Sequence, residues 1–134
     1  MPALLGRLAA AGIGQALWLA TCDRVEVVGV HPEPASAALT VATLLAERAG
    51  MDPAALSSQL YALSGEAAVR HLFAVTCSLD SHIIGEPEVL GQVKAAHRLA
   101  VAAGTSGPEL EAVLQAAFAA AKRVRHETAI AERP

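Results

Sequence analysis

Between Gln15 and Val30 the apolar positions are strand-like: Leu17, Trp18 and Leu19, then Val25, Val27, Val28 and Val30 supply branched and aromatic side chains. The polar insert Thr21-Cys22-Asp23-Arg24 divides them. Two readings fit, a two-strand hairpin or one long strand with a bulge that re-aims side chains. His31-Pro-Glu-Pro34 reads as a loop, because prolines remove donors and keep the preceding residues extended. A helix is then predicted, capped at Ser36 or a neighbour, with a stripe of Leu39, Val41, Ala42, Leu45, Ala46 and Ala49 and a stop at Gly50. Leu60-Tyr-Ala-Leu63 reads as a short strand, and Ser64 as the N-cap of about three helical turns carrying Val69, Leu72, Phe73 and Thr76. Ser78 to Gly85 shows no strong period. Pro87 opens the next helix, with core positions Val89, Val93, Ala96 and Ala100 and an end at Gly104. Pro108 opens the last, with Leu110, Leu114, Ala117, Ala121 and Val124 on one face. Its front carries Glu109 and Glu111, and its back Lys122, Arg123, Arg125 and His126, a polarity that complements the helix dipole. Strands, helix, strand and three helices make an α+β domain.

Composition narrows this picture. The 134 residues are 54% hydrophobic, with thirty-one alanines against four aromatic residues, so small-residue helices are favoured and an all-β sandwich is not. The chain has the size of one domain and leaves no room for a second, nucleotide-binding one. The longest uncharged run, Leu8 to Cys22, is shorter than the roughly 20 residues a membrane span needs and is broken by glycines and Gln15. Met1 to Ala10 lacks the ordered regions of a secretory signal. A cytoplasmic protein that contacts no membrane is expected, with its two cysteines as free thiols. The net charge of -3 argues against a dedicated polyanion binder, so any nucleic-acid contact must be local.

Two polar clusters carry candidate chemistry. Cys22 is followed two residues later by Arg24, a cation that would favour the nucleophilic thiolate, although a lone Cys is also a common small core residue. Arg24 suits a substrate carboxylate with its planar fork, or simply pairs with Glu26. Ser81, Glu86 and Gln92 place a hydroxyl, a carboxylate and an amide near a helix N-terminus, which is either a site for an anionic or carbonyl oxygen or ordinary capping. His71 on an apolar helix is usually structural, and Cys77 near the end of that helix reads as a hydrophobe. A metal site drawn from His82, Glu86 and His97 matches no established spacing, and no metal is expected. Gly12 and Gly14 lack the third glycine of a dinucleotide loop, Leu17 standing there. The run Lys122 to His126 reads most simply as a solvated helix end.

Three segments together resemble one known family. Leu19-Ala-Thr-Cys-Asp-Arg-Val-Glu-Val27 is similar to the Thr-Cys-Asn-Arg-x-Glu signature of glutamyl-tRNA reductase. His71-Leu-Phe-Ala-Val75 with Leu79-Asp-Ser-His-Ile-Ile-Gly-Glu-Pro-Glu-Val-Leu-Gly-Gln-Val-Lys94 resembles its second signature, and Lys122-Arg-Val-Arg-His-Glu-Thr-Ala-Ile130 its third, all in the family's order.

The resemblance implies a catalytic domain with a small antiparallel, ferredoxin-like sheet and packed helices, followed by a helical part. Cys22 becomes the nucleophile that attacks the ester of glutamyl-tRNA, and His71 a catalytic residue that assists as base or orienter. Thr21, Asp23, Arg24, Ser81, Glu86, Pro87, Glu88 and Gln92 become substrate contacts. The family reduces the resulting thioester with NADPH to glutamate-1-semialdehyde for tetrapyrrole synthesis, acts as a homodimer, and has glutamate-1-semialdehyde aminomutase as a further partner. The chain would be its residues 1–134, starting after a strand and His-containing segment and stopping before the NADPH-binding and dimerisation domains, hence limited to forming or hydrolysing the thioester. Asp23 stands where the family has Asn and adds a negative charge beside the thiol. Glu88 stands where Gln is common, and Thr76-Cys77-Ser78 replaces a small, Gly-containing run. The competing readings are a non-catalytic helical interaction domain and a cysteine thioesterase or acyltransferase of another family.

Overall fold

The hairpin, and not the bulged strand, is what forms. In the computed structural model, which describes residues 2–21, 24–77 and 87–131, β1 (Gln15–Ala20) pairs antiparallel with β2 (Val25–Val30) in a register running from Gln15↔Val30 to Ala20↔Val25. The Thr21 N–H donates to the Arg24 carbonyl at 2.9 Å beyond the last pair. Among the described residues six helices accompany the strands: α1 (Pro2–Ala10), α2 (Pro34–Ala49), α3 (Pro53–Ser57), α4 (Gly65–Thr76), α5 (Pro87–Ala103) and α6 (Pro108–Ala131). The architecture is α+β. None of these helices is long and apolar enough to cross a membrane.

Strand periodicity divides the core in two. Leu17 and Leu19 point to one face of the hairpin, where they join Leu72 and Val75 of α4, Val93, Ala96 and Ala100 of α5, and Leu110 and Leu114 of α6. Ala16 points to the other face, with Leu4, Leu5 and Leu8 of α1 and with Ile13; Trp18, Val27 and the apolar side of α2 pack around them. Both faces of β1 are therefore covered, by α1 and α2 on one side and α4, α5 and α6 on the other. Thr105 closes part of the free edge of β1. Its carbonyl accepts from the Ala16 N–H at 2.9 Å, and its buried hydroxyl donates to the Ala16 carbonyl at 3.0 Å.

Several local expectations are corrected. Leu60 to Leu63 is not a strand: Tyr61 is 78% exposed, and among the described residues no neighbouring edge supplies the ladder bonds a strand needs. α2 starts at Pro34, whose fixed φ and missing donor suit a first helical position, and Glu33 rather than Ser36 precedes it. Ser64 has N-cap geometry without a side-chain bond. Leu39 and Val69 are exposed, so the buried lines of their helices run through Ala42 and Ala46, and through Leu72, Val75 and Thr76. α1 and α3 were not expected. Gly50 and Gly104 do end their helices, each with the positive φ that glycine tolerates. α6 continues to Ala131, more than a turn beyond His126, so the basic run is not at its end. Its cations lie outside the last turn, where a helix dipole would favour them.

The α5–α6 connection is held by a polar knot. The Glu111 carboxylate accepts from the Ser106 hydroxyl, from Nε2 of His97 at 2.9 Å and from Gln115 at 3.0 Å. These donors, Ser106 foremost, pull its carboxyl from the ordinary 4.5 down to about 2. A carboxyl more acidic in the folded state adds stability above its ordinary range and loses it on acidification. Denaturation midpoints are accordingly expected to fall between pH ~4.5 and ~2 more steeply in the wild type than in Glu111→Gln; parallel curves for the two would remove Glu111 from acid sensitivity.

Candidate active site

The hairpin end carries the first polar cluster. Glu26 lies opposite Leu19 and shares a strand face with Val28 and Val30, which pack on the α4–α6 core. A carboxylate at the end of a core-facing row must find partners or pay a desolvation cost. It finds two. Glu26 Oε1 is 2.7 Å from Nε2 of His71 on α4, with both side chains about four-fifths buried at 18% and 22% exposure. Glu26 Oε2 lies 3.8 Å from the Arg24 guanidinium and is buried without a hydrogen bond. An ionised carboxylate can only accept, so Nε2 carries the proton, and in the neutral ring Nδ1 is the acceptor that remains.

Thr21, Arg24 and His71 are thus brought to one end of the hairpin, with Glu26 linking the two cations or potential cations. Cys22 and Asp23 fall within the same connection in sequence but lie outside the described residues, as do Ser81 and Glu86. Pro87 and Glu88 form the start of α5, and Gln92 is half-buried one turn on. α5 packs across β1, the strand that leads into the connection. His97, drawn above into a metal site, instead bonds Glu111; His82 is outside the described residues. Among the described residues no group of three or more His, Cys, Asp or Glu could hold a metal ion. Cys77, a half-buried free thiol, has its pKa raised by burial, as suits a packing residue.

Glu26 is the residue that sequence reasoning undervalued, as a mere surface partner for Arg24. Parity places residues 26, 28 and 30 in one row, so Glu26 sits with Val28 and Val30, but it does not say that this row faces inward. The described residues contain no dinucleotide-binding strand–turn–helix unit. The doubly wound fold that commonly binds a nicotinamide dinucleotide leads a strand through a glycine turn into a helix, whereas among the described residues Gly12 and Gly14 lead from α1 into β1 and the sheet is an antiparallel pair.

Comparison with known proteins agrees with the signature residues. Residues 1–128 match the family model for the N-terminal domain of glutamyl-tRNA(Glu) reductase. The glutamyl-tRNA reductase of Rhodospirillum rubrum is 53% identical over 135 residues, covering 100% of this chain and 31% of that protein. Those of Syntrophotalea carbinolica and Syntrophus aciditrophicus are 50% and 52% identical over 90% of the chain, covering 27% and 29% of their lengths. The chain therefore spans about three tenths of these relatives. With that match across nearly its whole length, the chain belongs to the glutamyl-tRNA reductase family, as its N-terminal domain.

Proposed function

We propose that this domain forms the glutamyl thioester of a glutamyl-tRNA reductase, with Cys22 as nucleophile. What supports the reading is the buried Glu26–His71 pair beside Arg24, at the end of the hairpin whose connection contains Cys22. The Cys22 sulfur attacks the ester carbonyl carbon, the bond to the ribose oxygen of the tRNA breaks, and a glutamyl thioester remains on the enzyme. The thiol proton passes to His71 Nδ1 and from there to the departing ribose oxygen, while Glu26 holds the ring by Nε2. Arg24 takes a substrate carboxylate in its fork, and Thr21, Asp23, Ser81, Glu86, Pro87, Glu88 and Gln92 line the remaining substrate pocket.

The whole enzyme, as an NADPH-dependent cytoplasmic homodimer, then delivers glutamate-1-semialdehyde to its aminomutase for tetrapyrrole synthesis. The step carried by this domain's own residues is formation of the thioester.

Incubation of the chain with glutamyl-tRNA, acid quenching and peptide mass spectrometry tests the assignment. A glutamyl adduct on the Cys22 peptide is expected, and in Glu26→Gln it should form roughly tenfold or more slowly with the fold intact. Adduct on Cys77 alone, or none, would refute the mechanism. An undiminished rate in Glu26→Gln would remove the positioning role.

A further inference from the structure

Lys94 of α5 and Lys122, Arg125 and His126 of α6 line one open groove of about 620 Å³, with Leu90, Gln115, Phe118 and Ala119 as its remaining wall. Elsewhere, Arg7 pairs with Glu47, Arg24 with Glu26 and Arg70 with Glu66. None of the four groove cations or potential cations has a carboxylate partner among the described residues; the same holds for Arg48, Arg98 and Arg123, but only these four converge on one groove. The chain as a whole carries -3, so this concentration of positive charge runs against its net balance. The helix dipole does not account for it, because α6 runs on to Ala131. Phe118 is engaged already: its ring centroid lies 5.8 Å from that of His97 and 5.9 Å from Lys94 Nζ. It holds Lys94 in place over the groove and is not a free stacking platform for a base.

From Gln115 to His126 the α6 wall extends about 16 Å at 1.5 Å per residue, and its positions 115, 118, 122 and 125 fall on one helical face. A row of unpaired cations without a free aromatic face suits a sugar-phosphate backbone read for charge and not for sequence. We propose that the α5–α6 groove holds the phosphate backbone of the tRNA portion of the substrate, through Lys94, Lys122 and Arg125. This rests on the reading of glutamyl-tRNA as substrate. It also explains how an acidic domain can engage tRNA locally.

Binding of uncharged glutamate tRNA to the chain, followed by fluorescence anisotropy across a salt series, tests the groove. The triple variant Lys94→Gln/Lys122→Gln/Arg125→Gln is expected to bind roughly ten- to a hundredfold more weakly near ~0.1 M salt, with the log–log salt slope shallower by about two to three. Each single substitution should lower the slope by about one, which keeps the test open if the triple variant folds poorly. Arg7→Gln/Arg48→Gln/Arg70→Gln removes the same charge elsewhere and should leave the slope near that of the wild type. Equal slopes in the groove variants and the wild type, or an equal fall in both triple variants, would overturn the proposal. So would lost binding of a polyglutamate peptide with tRNA binding intact, which would assign the groove to an acidic protein. Acylation of Cys22 by a small glutamyl thioester without tRNA is read in parallel. It reports on the nucleophile alone, so failure there and failure of the salt slope remain separate results.

Discussion

Cys22→Ser is expected to release tRNA from glutamyl-tRNA at least about a thousandfold more slowly than the wild type, a loss of some ~4 kcal/mol in transition-state stabilisation. A serine hydroxyl is hardly ionised at neutral pH, whereas a thiol beside a cation reaches the thiolate readily. Arg24 is that cation in sequence, two residues on, and its own partner Glu26 is shared with His71. The substitution should leave the fold in place. The bond that closes the connection, from the Thr21 N–H to the Arg24 carbonyl, is a backbone bond, and the strand pairs beyond it do not involve residue 22. Rapid-quench measurement of free tRNA, with an unchanged circular dichroism spectrum as the control, decides the point. Release by Cys22→Ser at the wild-type rate would mean that the ester is cleaved without a cysteine nucleophile.

Leu17→Ala should be the most damaging of the simple core truncations in the hairpin, costing about 2–5 kcal/mol in denaturant unfolding. Leu17 is fully buried at the centre of β1, among Leu72, Val93, Ala100, Leu110 and Leu114, and its loss leaves a cavity shared by the strand and three helices. Leu39→Ala, by contrast, should stay within about 0.5 kcal/mol of the wild type, because Leu39 is 69% exposed. The pair is a direct check on which apolar stripe is core. If Leu39→Ala costs as much as Leu17→Ala, the outer face of α2 is buried in solution.

Leu39 also illustrates how a pattern can mislead. Positions 39, 42, 45, 46 and 49 satisfy a helical spacing, and alanine at 42, 46 and 49 is neutral enough to lie on either side. Only tertiary packing, with α2 set against α1, selected Ala42 and Ala46 for burial. Leu60 to Leu63 failed for a related reason: a strand needs a partner edge, and local composition cannot show whether one exists. The helices opened by Pro87 and Pro108, and the stops at Gly50 and Gly104, were legible because proline and glycine act through backbone geometry alone.

The site was legible in a different way. Family signatures pointed to Cys22, Arg24 and His71, but the part played by Glu26 required knowing which face of β2 is inside. In Val25-Glu-Val-Val-Gly-Val30 both faces carry valine, so alternation does not tell inside from outside. The sequence by itself determined the elements whose ends are set by backbone chemistry, the α+β class, and a nucleophile candidate with a cation beside it. Tertiary structure alone decided that β1 is covered on both faces, that Glu26 turns inward to hold His71, and that α6 runs past its basic residues to leave them lining a groove. These outcomes depend on burial and on partners distant along the chain, and both are properties of packing that no local pattern contains.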